Sequence, residues 1–212
     1  MTARTALGLA MGDLFRNSWR LVPVNAALGA VLVFSVFAAV AVHALLVLAV
    51  LAGPIAAALA HCSVTLVRTG NLELADAWEG LRLHWRRGLA LGAAGLALGV
   101  LAGVAIGFYA RSSFGWPFAF FTLYLVVLLC IYAVVLMTIA VARPGEPLRL
   151  IARDAATVAA QRPGATLLLG LTLLLINVAG LAAALMPFLT ITVAYSFVAV
   201  AHFVLPTEAK EV

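Results

Sequence analysis

Long apolar runs alternate with short polar stretches along this 212-residue chain, and each run between consecutive stretches has room for two membrane crossings. The polar stretches are residues 4–20, 68–87, 143–162 and 208–211. A crossing needs about 20 apolar residues to pass the ~30 Å hydrocarbon layer. The pattern therefore predicts spans near residues 22–42, 45–67, 88–109, 117–142, 165–185 and 188–205. Gly53-Pro54 should kink the second span, and Met186-Pro187 marks a tight reversal before the sixth. The expected fold class is an all-α polytopic membrane protein with six transmembrane helices in one integral membrane domain, residues 1–212.

The polar stretches are more than connectors. Over residues 72–87, Leu74, Trp78, Leu81 and Trp85 recur at helical spacing on one face. Gly70 suits the end of the preceding helix and Asn71 the cap of the new one. Residues 147–162 repeat the design, with Leu148, Ile151, Ala152, Ala155 and Ala159 on one face. Residues 5–20 do so again, with Leu7, Ala10, Met11, Leu14 and Ser18 opposite Asp13, Arg16 and Arg20. Three amphipathic cytoplasmic helices are expected, each followed by span, short outer turn and span, with Arg20, Arg87 and Arg162 in matching places. This is a threefold internal repeat of pattern without residue-level identity. Both a true duplication and the ordinary layout of a six-span protein account for it.

Charge then sets the orientation. Twelve of the 13 Lys and Arg residues and all eight Asp and Glu lie in the polar stretches, and only Arg111 falls elsewhere. Short loops rich in Lys and Arg stay cytoplasmic, so both termini are expected inside. The net charge of +5 follows from that rule, and nucleic acid is not an expected partner; the lipid bilayer is. With 66% hydrophobic and 10% charged residues, the chain departs from soluble domains, which carry roughly a quarter charged residues. The first apolar run exceeds the ~7–15 residues of a cleavable signal, so the first span is expected to be retained. Cys62 and Cys130 fall in spans without a metal or disulfide pattern and read as small hydrophobes.

Several short motifs carry a family likeness. Gly12-Asp13-Leu14 precedes the first span. Gly53-Pro54-Ile55-Ala56-Ala57-Ala58-Leu59 opens the second, and Val67-Arg68 leads to a helix ending His84-Trp85-Arg86-Arg87. Residues 149–162 end in Gln161-Arg162-Pro163 ahead of a Leu-rich span. Together these resemble the YesL-like family of bacterial membrane proteins. Trp78 stands where that family usually has a Phe-type aromatic. The resemblance implies a bacterial inner-membrane location. It also implies an association with carbohydrate uptake and breakdown, inferred from genomic company and without a settled biochemical activity.

Candidate chemistry is sparse. No HExxH helix, GxSxG elbow or phosphate-cradling Gly loop occurs, so no enzyme, metal site or cofactor is expected. No charged residue falls mid-span, which disfavours an ion-coupled carrier. The polar residues within spans are His61, His202, Asn25 and Asn177. Each either binds a ligand or relays a proton, or simply bonds a neighbouring helix. Gly95, Gly99, Gly103 and Gly107 recur every fourth residue in the third span and are expected to pack against another helix. The fifth span, with Gly170 and Gly180, is the favoured partner, and a second copy of the chain is the other option. Trp78, Trp85, Arg86 and Arg87 form the expected cytoplasmic interface.

The functional expectation is an accessory or scaffold component linked to carbohydrate uptake, with a membrane or cytoplasmic protein partner on the inner helices. The competing expectation is a small-solute transporter or channel using the His61 and Asn177 region. The topology is checked by cysteine labelling. Cysteines at Glu79 and Thr157 should react only with reagents that reach the cytoplasm, and one at Ser113 only from outside. Outside labelling at position 79 would overturn the six-span layout.

Overall fold

The computed structural model describes residues 2–112, 114–183 and 187–205. It is 90% helical with no strand among the described residues. The helices are α1 (Ala3–Ala41), α2 (Ala52–Thr69), α3 (Leu74–Tyr109), α4 (Trp116–Ala142), α5 (Leu148–Gln161), α6 (Pro163–Ala182) and α7 (Val193–Val204). A 3₁₀ segment, His43–Leu51, leads into α2, and a π segment, Phe188–Thr192, leads into α7. Five helices are long and apolar enough to cross a membrane, with a shorter apolar helix over Thr190–Val204.

Two of the three amphipathic helices are continuous with the span that follows. α3 runs unbroken from Leu74 to Tyr109 because Arg87-Gly88 carries no breaker strong enough to stop it. α1 is continuous too, but bends at Asn17 (φ −117°, ψ 16°). The Asn17 side chain donates to the Asp13 carbonyl at 3.2 Å, covering an acceptor beside the break. Only α5 is separate. Pro163 disfavours helical geometry at the residue before it, and Arg162 sits at φ −138°, ψ 60°. The second crossing changes from 3₁₀ to α just before Gly53-Pro54, where the sequence predicts a kink. Gly70 ends α2 in the left-handed region (φ 72°). The cap of α3 is Glu73, not Asn71: Asp76 reaches back to the Glu73 N–H at 2.7 Å in a capping box.

The core centres on α7, whose residues from Ala194 to Phe203 are all buried. It packs against α1, α2 and α4, while α2 and α3 form the most extensive helix pair. That pair meets backbone to backbone. A Cβ at Gly53 would fall on the Gly88 carbonyl, one at Gly88 would lie 2.6 Å from Pro54 Cα, and one at Gly92 2.7 Å from the Val50 carbonyl.

The glycine row of the third span is therefore corrected. A Cβ at Gly95, Gly99, Gly103 or Gly107 would meet nothing within 4 Å. None of the apolar window of α3 is buried. Beyond Gly92, Gly95, Gly99 and Gly103 line an open groove of about 890 Å³ bordered by α1, α2 and α4. Gly170 packs against Ile131 of α4, not against α3. A four-residue repeat of glycine shows where backbones can approach; the helix paths decide which part of the row is used.

Gly88→Ala and Gly99→Ala separate these readings. Overpacking a close helix contact costs about 1–3 kcal/mol, so Gly88→Ala should lower the melting temperature in detergent clearly. Gly99→Ala should stay within about 0.5 kcal/mol of the parent. Equal losses at both positions would mean that the outer row is also packed.

Candidate functional site

The polar residues inside the bundle form several separate pairs. His202, near the end of α7, lies 2.7 Å from Asp13 of α1 (Nε2 to Oδ2), with both side chains largely buried. This contact, with the 3.1 Å bond from Tyr195 Oη–H to the Leu7 carbonyl, fastens the N-terminal part of α1 to the central helix. Asp13 therefore sits at the edge of the buried face. That face runs through Ala3, Ala6, Ala10, Leu14 and Asn17, while Met11 is exposed.

Asn25 is fully buried, and its Oδ1 accepts from the Ala194 N–H at 2.7 Å. Ala194 follows the π segment, where the helical ladder is shifted, so Asn25 supplies an acceptor at the discontinuity. Asn177 Nδ2 donates to the Leu173 carbonyl at 2.8 Å and to Ser196 Oγ at 2.7 Å, joining α6 to α7.

His61 meets none of these. Its ring lies 5.4 Å from that of His84 (centroid to centroid), with the planes tilted by 43°. A Cβ at Gly80 would lie 2.6 Å from His61 Cβ, so the missing side chain on α3 makes the room. His84 is buried, and its Nδ1 has no hydrogen-bond partner. Burial, then His61 and Arg87, hold its pKa below the ordinary 6.5. His61 and His202 thus have different partners, and so do His61 and Asn177, the pair expected to form a transport region. Among the described residues no group of three or more His, Cys, Asp or Glu could hold a metal ion.

Arg87 is a clasp and not part of an open interface. Its guanidinium donates to the carbonyls of Ala140 (2.9 Å), Arg143 (3.2 Å), Glu146 (2.7 Å) and Pro144. Arg68 adds a bond to the Ala142 carbonyl at 3.4 Å. Together they cover carbonyls that the C-terminus of α4 leaves unpaired, at the negative end of its dipole. Arg20 similarly donates to Asn71 Oδ1 at 2.8 Å. Arg86 lies over the Trp85 ring at 5.3 Å and Arg20 over Trp19 at 4.7 Å.

The aromatic row of α3 is not buried against the bundle. Leu74, Trp78 and Trp85 are 53%, 64% and 46% exposed. The face that packs on α2 is Gly80, His84 and Gly88, a stripe of small and polar residues at the same four-residue spacing. That spacing was legible in the sequence, but hydrophobicity pointed about a quarter-turn away from it. Asp13, His84 and Ser196 were missed for the same reason: each gains its role from a partner far along the chain.

No family model, curated protein or solved structure matches the chain. The likeness to YesL-like proteins rests on the short motifs quoted above.

The His84 environment makes stability depend on pH. The unfolded imidazole titrates near 6.5 and the folded one lower, so the unfolded chain takes up the proton first as pH falls. The contribution is fully present above about pH 6.5 and is lost as pH drops toward the lowered folded value. Melting temperature should fall between pH 7 and 5, and His84→Gln should flatten that slope. Parallel slopes in the two proteins would remove His84 as its source.

Proposed function

We propose that the chain is a six-span protein of the bacterial inner membrane with both termini cytoplasmic. In this reading it is an accessory or scaffold component whose protein partner docks on its inner end. The YesL-like resemblance directs the partner toward carbohydrate-uptake machinery, and the role is non-enzymatic. Supporting the topology, bonds among Arg20, Asn71, Arg68, Arg87 and the α4–α5 turn gather the basic stretches at one end of the bundle. The sixth crossing is short, but α7 is wrapped by protein, so its length need not match the bilayer.

The packing also supports the threefold reading. The second crossing of each unit lies on the cytoplasmic helix of the next: α2 on α3 through His61 and Gly80, and α4 on α5 through Tyr132 Oη–H and the Ala152 carbonyl. α7 then returns to α1 through His202 and Asp13. Arg20 and Arg87 reach the turn that ends their own unit. The counterpart for Arg162 would fall beyond residue 205, outside the described residues.

The exposed aromatic row carries the docking reading. With 36 residues, α3 is about 54 Å long, against roughly 40–45 Å for a whole bilayer. If the hydrocarbon begins at the crossing of Gly88 and Gly53, Trp78 lies ten residues further in, about 15 Å beyond its edge and past the headgroup layer, and the second crossing stops at Gly53-Pro54 instead of running to residue 67. At a typical tilt of ~20° it remains there. An apolar row in water at that height calls for a protein surface.

Photo-cross-linking in cells from position 82, exposed one turn along α3 from Trp78, tests this. The expected result is a stoichiometric adduct with a sugar-importer component, lost in Trp78→Asp while folded yield is kept. Strong quenching of Trp78 by brominated phospholipid would instead place the row in the membrane and remove the docking surface.

A further inference from the structure

A cavity of about 220 Å³ lies between α4, α6 and α7. Its wall is mostly apolar, with Val127, Ile131, Leu173 and Val200 among the lining residues, and no charged residue lines it. Two polar atoms of α6 belong to lining residues: Thr166 Oγ1 and Asn177 Oδ1 are buried with no hydrogen-bond partner. Thr166 is only 6% exposed. An unsatisfied buried oxygen is costly in an apolar setting and calls for an explanation, such as a ligand or an ordered water.

The bonds of Asn177 define what the partner must supply. Its other amide atom faces the Leu173 carbonyl, which can only accept, so that atom is the NH₂ group. The free atom is consequently an acceptor. Ser196 Oγ cannot satisfy it, because that hydroxyl hydrogen is directed to the Thr192 carbonyl at 2.9 Å. The ligand must bring an O–H or N–H donor. It must also be uncharged, since nothing in the wall would pair with a buried charge.

Shape narrows the class further. Thr166 and Asn177 are eleven residues apart on α6, about 16 Å along its axis, so the occupant is long and thin. A single water would satisfy Asn177 and leave the aliphatic remainder empty. Access comes from the bilayer. α4 and α6 meet closely at Ile131 and Gly170 and contact each other sparsely elsewhere, which leaves a lateral opening for a lipid-soluble molecule.

We infer that this cavity binds one neutral long-chain alcohol from the membrane, its hydroxyl donating to Asn177 Oδ1 and its chain lying along α6 toward Thr166, whose Oγ1 it leaves unpaired. The inference is independent of any protein docked at the cytoplasmic end.

Photolabelling of the purified protein in nanodiscs with a diazirine-bearing hexadecanol tests it. Label should fall on Val127, Ile131 and Leu173, and hexadecanol should compete at least tenfold better than hexadecane. Geranylgeraniol as competitor separates a branched isoprenoid source from a straight alkyl one. Val127→Trp, which fills the cavity, should abolish labelling without lowering the melting temperature. Asn177→Leu should keep labelling but lose the preference for alcohol over alkane. Should that variant fail to fold, hexadecyl methyl ether, which cannot donate, takes its place as competitor and should compete no better than hexadecane. Label confined to the lipid-facing Leu168 and Leu175, or ether competing as well as alcohol, would overturn the site.

Discussion

Lipid removes the force that drives helices together in water, because the tails are as apolar as the side chains they would leave. Association then depends on close packing and a few polar links. Here the decisive contact is the backbone approach of α2 to α3 at Gly53, Gly88 and Gly92. Its consequences run outward from the crossing. It brings His84 beside His61, with Gly80 making the space, and it holds the N-terminal part of α3 where Arg87 reaches the carbonyls that close α4. Past that crossing nothing packs on the α3 glycines, and a groove opens beside Gly95 and Gly99.

A second constraint acts on the backbone. A helix end or irregular turn inside a bundle leaves donors and acceptors with no water to meet them. Asn25 supplies an acceptor at the shifted turn before α7, Asn17 covers an acceptor at the bend of α1, and the Arg87 guanidinium gathers the end of α4. These side chains read as polar features of a transport path when viewed one at a time along the chain. In three dimensions most of them repair discontinuities, and Asp13 with His202 joins the first helix to the last. Asn177 differs, because one of its atoms stays unpaired beside an apolar cavity.

The end of the molecule that carries Arg20, Arg68 and Arg87 combines rigidity with an exposed aromatic surface. Arg87, Arg68 and Arg20 tie the turns and helix starts together. Trp78, Trp85, Phe15 and Trp19 remain exposed on helices held in that way. Aromatic side chains bury large areas at modest entropic cost when they bind, and a surface already held in place loses less freedom on docking. Arg86 and Arg20 lying over Trp85 and Trp19 keep a basic margin beside these rings.

The sequence by itself determined the all-helical class, the helices long and apolar enough to cross a membrane and the approximate helix limits, because hydrophobic run length and the positions of Gly and Pro act locally. Gly70 at the end of α2, Pro163 at the break before α6 and the Ile151–Ala155 face of α5 were all legible in this way. Tertiary structure alone decided which glycines touch, which face of α3 is buried and which residues meet the polar side chains of the spans. Gly88 and Gly95 look alike in the sequence, yet only one has a backbone against it. His202 and Asp13 stand 189 residues apart. Local pattern fixes where a residue sits on its own helix, whereas its partner depends on the paths of helices that the pattern does not encode.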